Sequence, residues 1–386
     1  MPGSSKIHPA PVVDQVPNQL HGCLDGMWQE DPEKLRAYLA GGDCGDAGFC
    51  HGLCPPNMQV APDSDQRFVA EPNRYVLYVS AGCPFAARPW MVSCALGLVD
   101  NGVLRVSRVF PGNSEDGWFM VPVSEEEKKV AGGFEGENTH DQDDPVFKEN
   151  GWTHLRQMYK TSNPNFSGKV SVPVLYDAQR KQIVNNQSFD CAMMIAECLA
   201  PLVPEDKRPV LKPTDLFGEP RSQRRDAIRA CSTALHADVN IRPYKVHFAQ
   251  TQKEYQDHLD AWYAKLRELE AVLDAQPWVL PGEQPTFCDF QLFASLVRWE
   301  LVYRPFFRMQ EWRLEDFPNL FSLVKRVYKI PGVGHCIEAA NVSRNYYLSH
   351  PLRTRGGLTT PRPPQWLMRA LQGDSAFSKQ HAGINK

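Results

Sequence analysis

The sequence predicts a small α/β domain over residues 71–205 followed by an all-helical domain over residues 221–350. Three observations carry this. Short apolar, β-branched runs alternate with helical stretches in the order strand, helix, strand, gap, strand, strand, helix. Beyond about residue 221 the apolar residues recur at three- and four-residue steps, the spacing that buries one face of long helices. The chain has 386 residues, enough for two domains and a sizeable core.

Taken in order, residues 1–70 are rich in Pro, Gly and Asp with little periodicity, and read as an irregular arm with one short helical piece at 31–39. Cys44, Cys50, His51 and Cys54 cluster there. Their spacing is not that of the common zinc patterns, so no metal is expected. Residues 75–79 (YVLYV) read as a buried strand and 104–110 (LRVSRVF) as a second. A polar excursion over 111–150 reads as a long loop, of the kind that is functional or disordered. Residues 151–159 suit a helix. Residues 169–177 (KVSVPVLYD) suit a strand containing Pro173, and a proline there suits a cis peptide at a strand end. Residues 182–185 read as a return strand, and Ser188 as the N-cap of an apolar helix.

In the helical half, Tyr255, Leu259, Trp262, Leu266, Leu269 and Leu273 mark one buried face. Thr286 and Asp289 have capping-box spacing before the apolar run 290–302. Residues 317–328 form another amphipathic stretch, stopped by Pro331 and Gly332. The tail over 351–386 is rich in Pro and Arg and reads as extended.

With 42 basic and 45 acidic residues, the charge balance does not support nucleic-acid or membrane-surface binding as the main role. The apolar runs are too short to span a bilayer, and the N-terminal stretch lacks the apolar core of a secretory signal. Eleven cysteines at irregular spacing fit a reducing compartment better than a disulfide framework, so a cytoplasmic protein is expected.

The chemistry concentrates at residues 75–90, YVLYVSAGCPFAARPW. Ser80, Ala81 and Gly82 end the strand pattern, and Cys83 and Pro84 open a helical run. Proline is tolerated in a first helical turn, which places Cys83 at a helix N-terminus just past a strand. There the dipole and free N–H groups favour a thiolate, and Arg88 adds positive charge. Position 86 is Ala86, so this is a one-cysteine centre. Trp118, an aromatic among polar residues, is the candidate ligand-facing side chain in the long loop.

These blocks resemble the glutathionyl-hydroquinone reductases, the xi class of the glutathione transferases. The resemblance rests on Cys83-Pro84, Arg88, Asp116-Gly117-Trp118, VPVLYD at 172–177, IVNNQS at 183–188, RPYKVHFAQTQ from Arg242, LVRWELVY ending at Tyr303, DFPNLFSLVKRVYKIPGV from Asp316 and NYYLSH ending at His350, and covers roughly residues 70–350. It implies a thioredoxin-like N-terminal domain with an all-α C-terminal domain, the glutathione transferase fold, and a homodimer. It implies Cys83 as nucleophile, Tyr244 as proton donor, and Tyr303 and Tyr346 as tyrosines that lower the thiol's pKa. Glutathione, as co-substrate, is implied to meet Trp118, the segment Lys169, Val170, Ser171 and Val172, and the pair Gln187 and Ser188. Two departures stand out. Phe85 and Ala87 stand where the family commonly has Trp and His, and Gln187 stands for Glu.

The expected activity is glutathione-dependent reduction of glutathionyl-hydroquinones through a cysteine–glutathione mixed disulfide. Two other readings stay open: a thiol transferase acting on glutathionylated proteins or dehydroascorbate, and a fold used only as an interaction module.

Overall fold

The computed structural model describes residues 68–114, 116–134, 137–166, 169–349 and 362–372, together with the backbone of residues 39–40. The Cys44–Cys54 cluster therefore lies outside the described residues. Leu39–Ala40 pair in parallel with Phe68–Val69, so the helical piece expected at 31–39 ends in a strand, its remaining residues being outside the described ones.

The α/β half is a four-stranded sheet. Its strands are β1 (Tyr75–Val79), β2 (Arg105–Arg108), β3 (Val174–Asp177) and β4 (Gln182–Asn185), in the order β2-β1-β3-β4. β1 runs parallel to β2 and antiparallel to β3, and β3 and β4 are antiparallel neighbours. The central strand is buried along its whole length, as its unbroken apolar run requires. The parallel pair needs a crossover, and helix α1 (Pro84–Ala95) supplies it. Helix α2 (Leu155–Ser162) precedes β3, and α3 (Ser188–Met194) follows β4 and packs beside α1. Two strands are shorter than their apolar runs suggested. β3 starts only after the cis bond between Val172 and Pro173, because proline contributes no ladder N–H. β2 stops at Arg108, which lies opposite Val79, the last residue of its partner β1; the Arg108 side chain pairs with Asp141 and Glu338.

The excursion over 111–150 is not a bare loop. It holds a hairpin, Asn113–Ser114 with Gly117–Trp118, and the helices Glu125–Gly132 and Pro145–Asn150. Glu127 pins it to the domain. Its buried carboxylate accepts from the N–H groups of Val123 and Ser124 and pairs with His154. Burial alone pushes that carboxyl up, but Ser114, the two N–H groups and His154 together pull it down to about 2.

The helical half contains α4 (Gln223–Leu235), α5 (Arg242–Phe248), α6 (Gln252–Ala275), α7 (Phe287–Arg298), α8 (Pro318–Tyr328) and α9 (Ala339–Leu348). In α6 the expected stripe is buried from Leu259 to Leu273, with Tyr255 half-buried at its edge. The capping box opening α7 forms as its spacing predicts, with Asp289 also accepting from the N–H of Val279. A π-turn over Trp299–Tyr303 carries α7 onward and displaces the register of its last residues. The tail reading is corrected in part: Gln365–Gln372 is a helix, α10, whose Leu367, Met368 and Leu371 are buried and whose Trp366 meets Phe321 of α8. No helix among the described residues is long and apolar enough to cross a membrane.

The two halves meet at the turn before α1. α7 packs along α1, and Asn345 of α9 accepts from the Ser80 hydroxyl at 2.8 Å. A Cβ on Gly82 would lie 2.0 Å from Cβ of Asn345, so the closeness of α9 to this turn demands glycine. Gly82→Ala is therefore expected to lose about 1–3 kcal/mol of stability through overpacking, read by urea denaturation. An unchanged midpoint contradicts the close approach.

Candidate active site

Cys83 is the N-cap residue of α1, with extended backbone angles, and Pro84 occupies the first helical position. The helix starts here because proline needs no intrahelical acceptor and the sulfur takes up an orphan donor, the N–H of Ala86 at 3.5 Å. The thiol donates to the carbonyl of Val172 at 3.7 Å, on the residue before cis-Pro173. Cys83 is half-buried and so still reachable. Burial pushes its thiol above the ordinary value. The N–H groups of Ala86 and Phe85 and the charges of Arg298 and Arg88 oppose that push without reversing it. The expectation of a depressed thiol is corrected accordingly: one helix end and two guanidinium groups do not outweigh the loss of water at this site.

The tyrosines converge, but on one another. Tyr244 and Tyr346 hydroxyls lie 2.8 Å apart, and Tyr303 and Tyr346 hydroxyls 3.3 Å apart. The expected thiol contact of Tyr303 and Tyr346 is absent from the hydrogen bonds of Cys83, which go to Val172 and Ala86. Burial holds Tyr244 and Tyr346 well above the usual phenol range, and Tyr303 above it, so all three keep their protons at neutral pH. Around them stands an aromatic wall. Phe85 stacks on Tyr244 with ring centroids 6.3 Å apart and also meets His236 at 5.7 Å. The guanidinium of Arg88 sits 4.7 Å over the Phe85 ring. Arg88 is buried, and its Nε and one Nη have no hydrogen-bond partner, so burial lowers its pKa to about 10.

On the other side of Cys83 lie the residues assigned to glutathione. The hydroxyl of Tyr159 on α2 donates to the carbonyl of Ser171 at 2.8 Å and accepts from Asn186, which shapes the segment before Val172. Val170 is buried and lies against Gly117, whose φ of +98° turns the hairpin just before Trp118, itself a buried side chain. Lys169 is exposed. The capping assignment shifts by one residue: Gln187, not Ser188, is the N-cap of α3, its Oε1 accepting from the N–H of Asp190 at 2.8 Å. Ser188 instead donates to the carbonyl of Phe85 at 2.7 Å and ties α3 to the first turn of α1.

Arg298, the last residue of α7, went unassigned on sequence. It is fully buried, and its guanidinium donates to the carbonyls of Gly82 (2.7 Å), Ala81 (2.8 Å) and Cys83 (3.4 Å). The available signal was its position, a cation inside the apolar run 290–302.

A parallel strand pair closed by α1, an antiparallel return pair reached through a cis-proline, and an appended helical half make up one known architecture. The chain has the glutathione transferase fold. The family model for the glutathione S-transferase C-terminal domain matches residues 252–326. Among solved structures, the glutathione-S-transferase Xi from Phanerochaete chrysosporium has a TM-score of 0.67 and 27% identity, covering 85% of this chain and 95% of that one. The glutathione-bound YqjG from Escherichia coli K-12 has a TM-score of 0.66 at 27% identity, covering 80% and 90%. Among curated relatives, glutathionyl-hydroquinone reductase PcpF of Sphingobium chlorophenolicum is 28% identical over 304 residues, 78% of this chain and 86% of that protein. Glutathionyl-hydroquinone reductase YqjG of Escherichia coli is 28% identical over 342 residues, 89% and 95%. This chain is a relative of the xi-class glutathione transferases.

The direction of the thiol shift has a measurable consequence. The alkylation rate of the Cys83 peptide with iodoacetamide, followed by mass spectrometry, is expected to climb about tenfold per pH unit through neutrality and to keep rising past pH ~8.5, the free thiol value. A plateau below pH 7 contradicts the burial of this sulfur.

Proposed function

We propose that the protein reduces glutathionyl-hydroquinones to hydroquinones at the expense of glutathione. One observation carries the reading: a half-buried thiol stands at a helix N-terminus between a cis-proline segment on one side and a hydrogen-bonded tyrosine cluster on the other. The similarity to two proteins named glutathionyl-hydroquinone reductase supports it.

In the first step the Cys83 thiolate attacks the glutathione sulfur of the conjugate. The carbon–sulfur bond breaks, its electron pair leaves with the aryl carbon, and Tyr244 delivers the proton that completes the hydroquinone. The sulfurs are oxidised to a Cys83–glutathione disulfide while the ring carbon is reduced. In the second step a glutathione thiolate attacks that disulfide, releasing oxidised glutathione and the Cys83 thiolate. The raised pKa of Tyr244 keeps it protonated for the first step, and Tyr346 with Tyr303 supplies a chain through which the phenol regains its proton.

The tripeptide lies along Lys169, Val170, Ser171 and Val172, with the Val172 backbone beside cis-Pro173 and Trp118 flanking it. Its γ-glutamyl end meets Gln187, Ser188 and the N-terminus of α3. Because the carbonyl of Gln187 is engaged in capping, its amide offers the ligand a donor, suited to the γ-glutamyl carboxylate. The ring of the conjugate packs against Phe85 and Tyr244. That flat aromatic wall favours an aryl leaving group over the thiol transferase alternative, which needs none. We place the enzyme in the cytoplasm as a homodimer, with no metal in the reaction.

Steady-state turnover of a glutathionyl-hydroquinone panel tests this. Tyr244→Phe is expected to lower kcat by about 10²-fold, with little change in retention on immobilised glutathione. Cys83→Ser is expected to retain glutathione binding and lose turnover. Normal turnover by the Ser variant, or turnover of dehydroascorbate alone, overturns the assignment.

A further inference from the structure

Arg298 is a fully buried cation. No carboxylate pairs with it among the described residues; its partners are four carbonyls, those of Ala294 on its own helix and of Ala81, Gly82 and Cys83 across the domain boundary. A buried charge is costly unless hydrogen-bonded, and even fully hydrogen-bonded it keeps its field. The turn that receives it is closed by the N–H of Cys83 on the carbonyl of Ser80 at 3.1 Å. The carbonyls of Ala81 and Gly82 in such a turn point away from the chain, and Arg298 takes up both. An apolar side chain here leaves these buried acceptors without donors.

The groups facing Cys83 can be named element by element. α1 contributes Arg88, α7 contributes Arg298, α5 contributes Tyr244 and the π-turn after α7 contributes Tyr303. The tyrosines are neutral at working pH, so among the described residues the two guanidinium groups are the charges that face the sulfur. Arg88 is tied to the Phe85 face and shares α1 with the thiol. Arg298 comes from the other half of the protein, and its hydrogen bonds hold the residue that bears the sulfur.

We propose that Arg298 is a positioning residue for Cys83: it fixes the Ala81–Gly82–Cys83 turn and provides the buried positive charge against which the thiolate forms. This rests on Cys83 being the working nucleophile of the proposed reaction. It adds that the nucleophile is completed by the helical half. Thiolate formation is then coupled to domain packing, because any opening of the boundary withdraws the charge and frees the turn together. The same charge acts on Tyr303 and Tyr346, favouring their ionised forms, so one residue biases both the thiol and the tyrosine chain.

The test is the pH profile of Cys83 alkylation by iodoacetamide in Arg298→Met, Arg298→Gln and Arg298→Lys. It must be read on the Cys83 peptide, since the hydrogen bond of Cys231 with Cys288 lowers the Cys231 thiol and makes it a competing target. Removal of one facing charge is expected to raise the alkylation midpoint by about one pH unit or more, a loss of about tenfold in rate at pH 7, in the Met and Gln variants. Arg298→Lys keeps the charge and loses the fork, so its midpoint is expected to stay close to wild type while its melting temperature falls. A purely structural role lowers accessibility at every pH without moving the midpoint. An unmoved midpoint in a folded Met or Gln variant overturns the proposal. If neither neutral variant folds, Arg298→His decides: its alkylation midpoint is expected to rise by about one unit relative to Arg298→Lys, and equal midpoints for the two overturn the proposal. Alkylation needs no conjugate, so a failure of quinone turnover and a failure of this proposal are read separately.

Discussion

A buried guanidinium is costly unless hydrogen-bonded, and Arg298 bonds through each of its three nitrogens to backbone carbonyls, three of the four in the other domain. The carbonyls of Ala81 and Gly82 are fixed by this bond, and the hydroxyl of Ser80 is fixed by Asn345. The start of α1, and with it the sulfur of Cys83, is therefore set by side chains 216 and 265 residues away in sequence from the groups they hold. The contact also explains Gly82, since any larger residue strikes Asn345. The α/β half supplies the Cys83 thiol and the cis-proline segment. The helical half supplies the charge, the tyrosines and the hold on the turn.

Two opposing effects meet at the sulfur. Closing the domain boundary removes water, which disfavours the thiolate; the helix end and two guanidinium groups favour it. Burial wins, which gives the tyrosines a different part from thiolate stabilisation. Held protonated by the same loss of water and hydrogen-bonded in series, they suit delivery of a proton to a leaving group. Phe85 in the first turn of α1 keeps an aromatic surface against Tyr244, while Ala87 is buried and offers no polar group.

Much of the fold was legible because it obeys local rules. The β1 run, the α6 stripe and the capping box of α7 appear where their spacing placed them, since each is decided within one element. The errors have physical causes. Strands β2 and β3 fell short because the end of the partner strand at Val79 and a proline ended ladders that the apolar runs continue. The excursion over 111–150 looked like loop because its polar residues, Glu127 above all, are buried in partnerships with distant side chains. Gln187 displaced Ser188 as N-cap because the serine hydroxyl is drawn to Phe85 instead. The tail helix escaped notice since its apolar face is only three residues wide. Of the candidate site, the cysteine and the tyrosines were readable as residues. Their partners were not, because Arg298 and Asn345 act through contacts that no local pattern encodes.

In the proposed reaction Cys83 carries glutathione as a covalent intermediate. This is tested most directly by the mass of the wild-type protein after one equivalent of a glutathionyl-hydroquinone, with free glutathione withheld. The adduct is expected on the Cys83 peptide as a single glutathione in disulfide linkage, formed with release of free hydroquinone and removed when glutathione is added. An adduct on another cysteine, or hydroquinone release with Cys83 unmodified and still alkylatable, contradicts it.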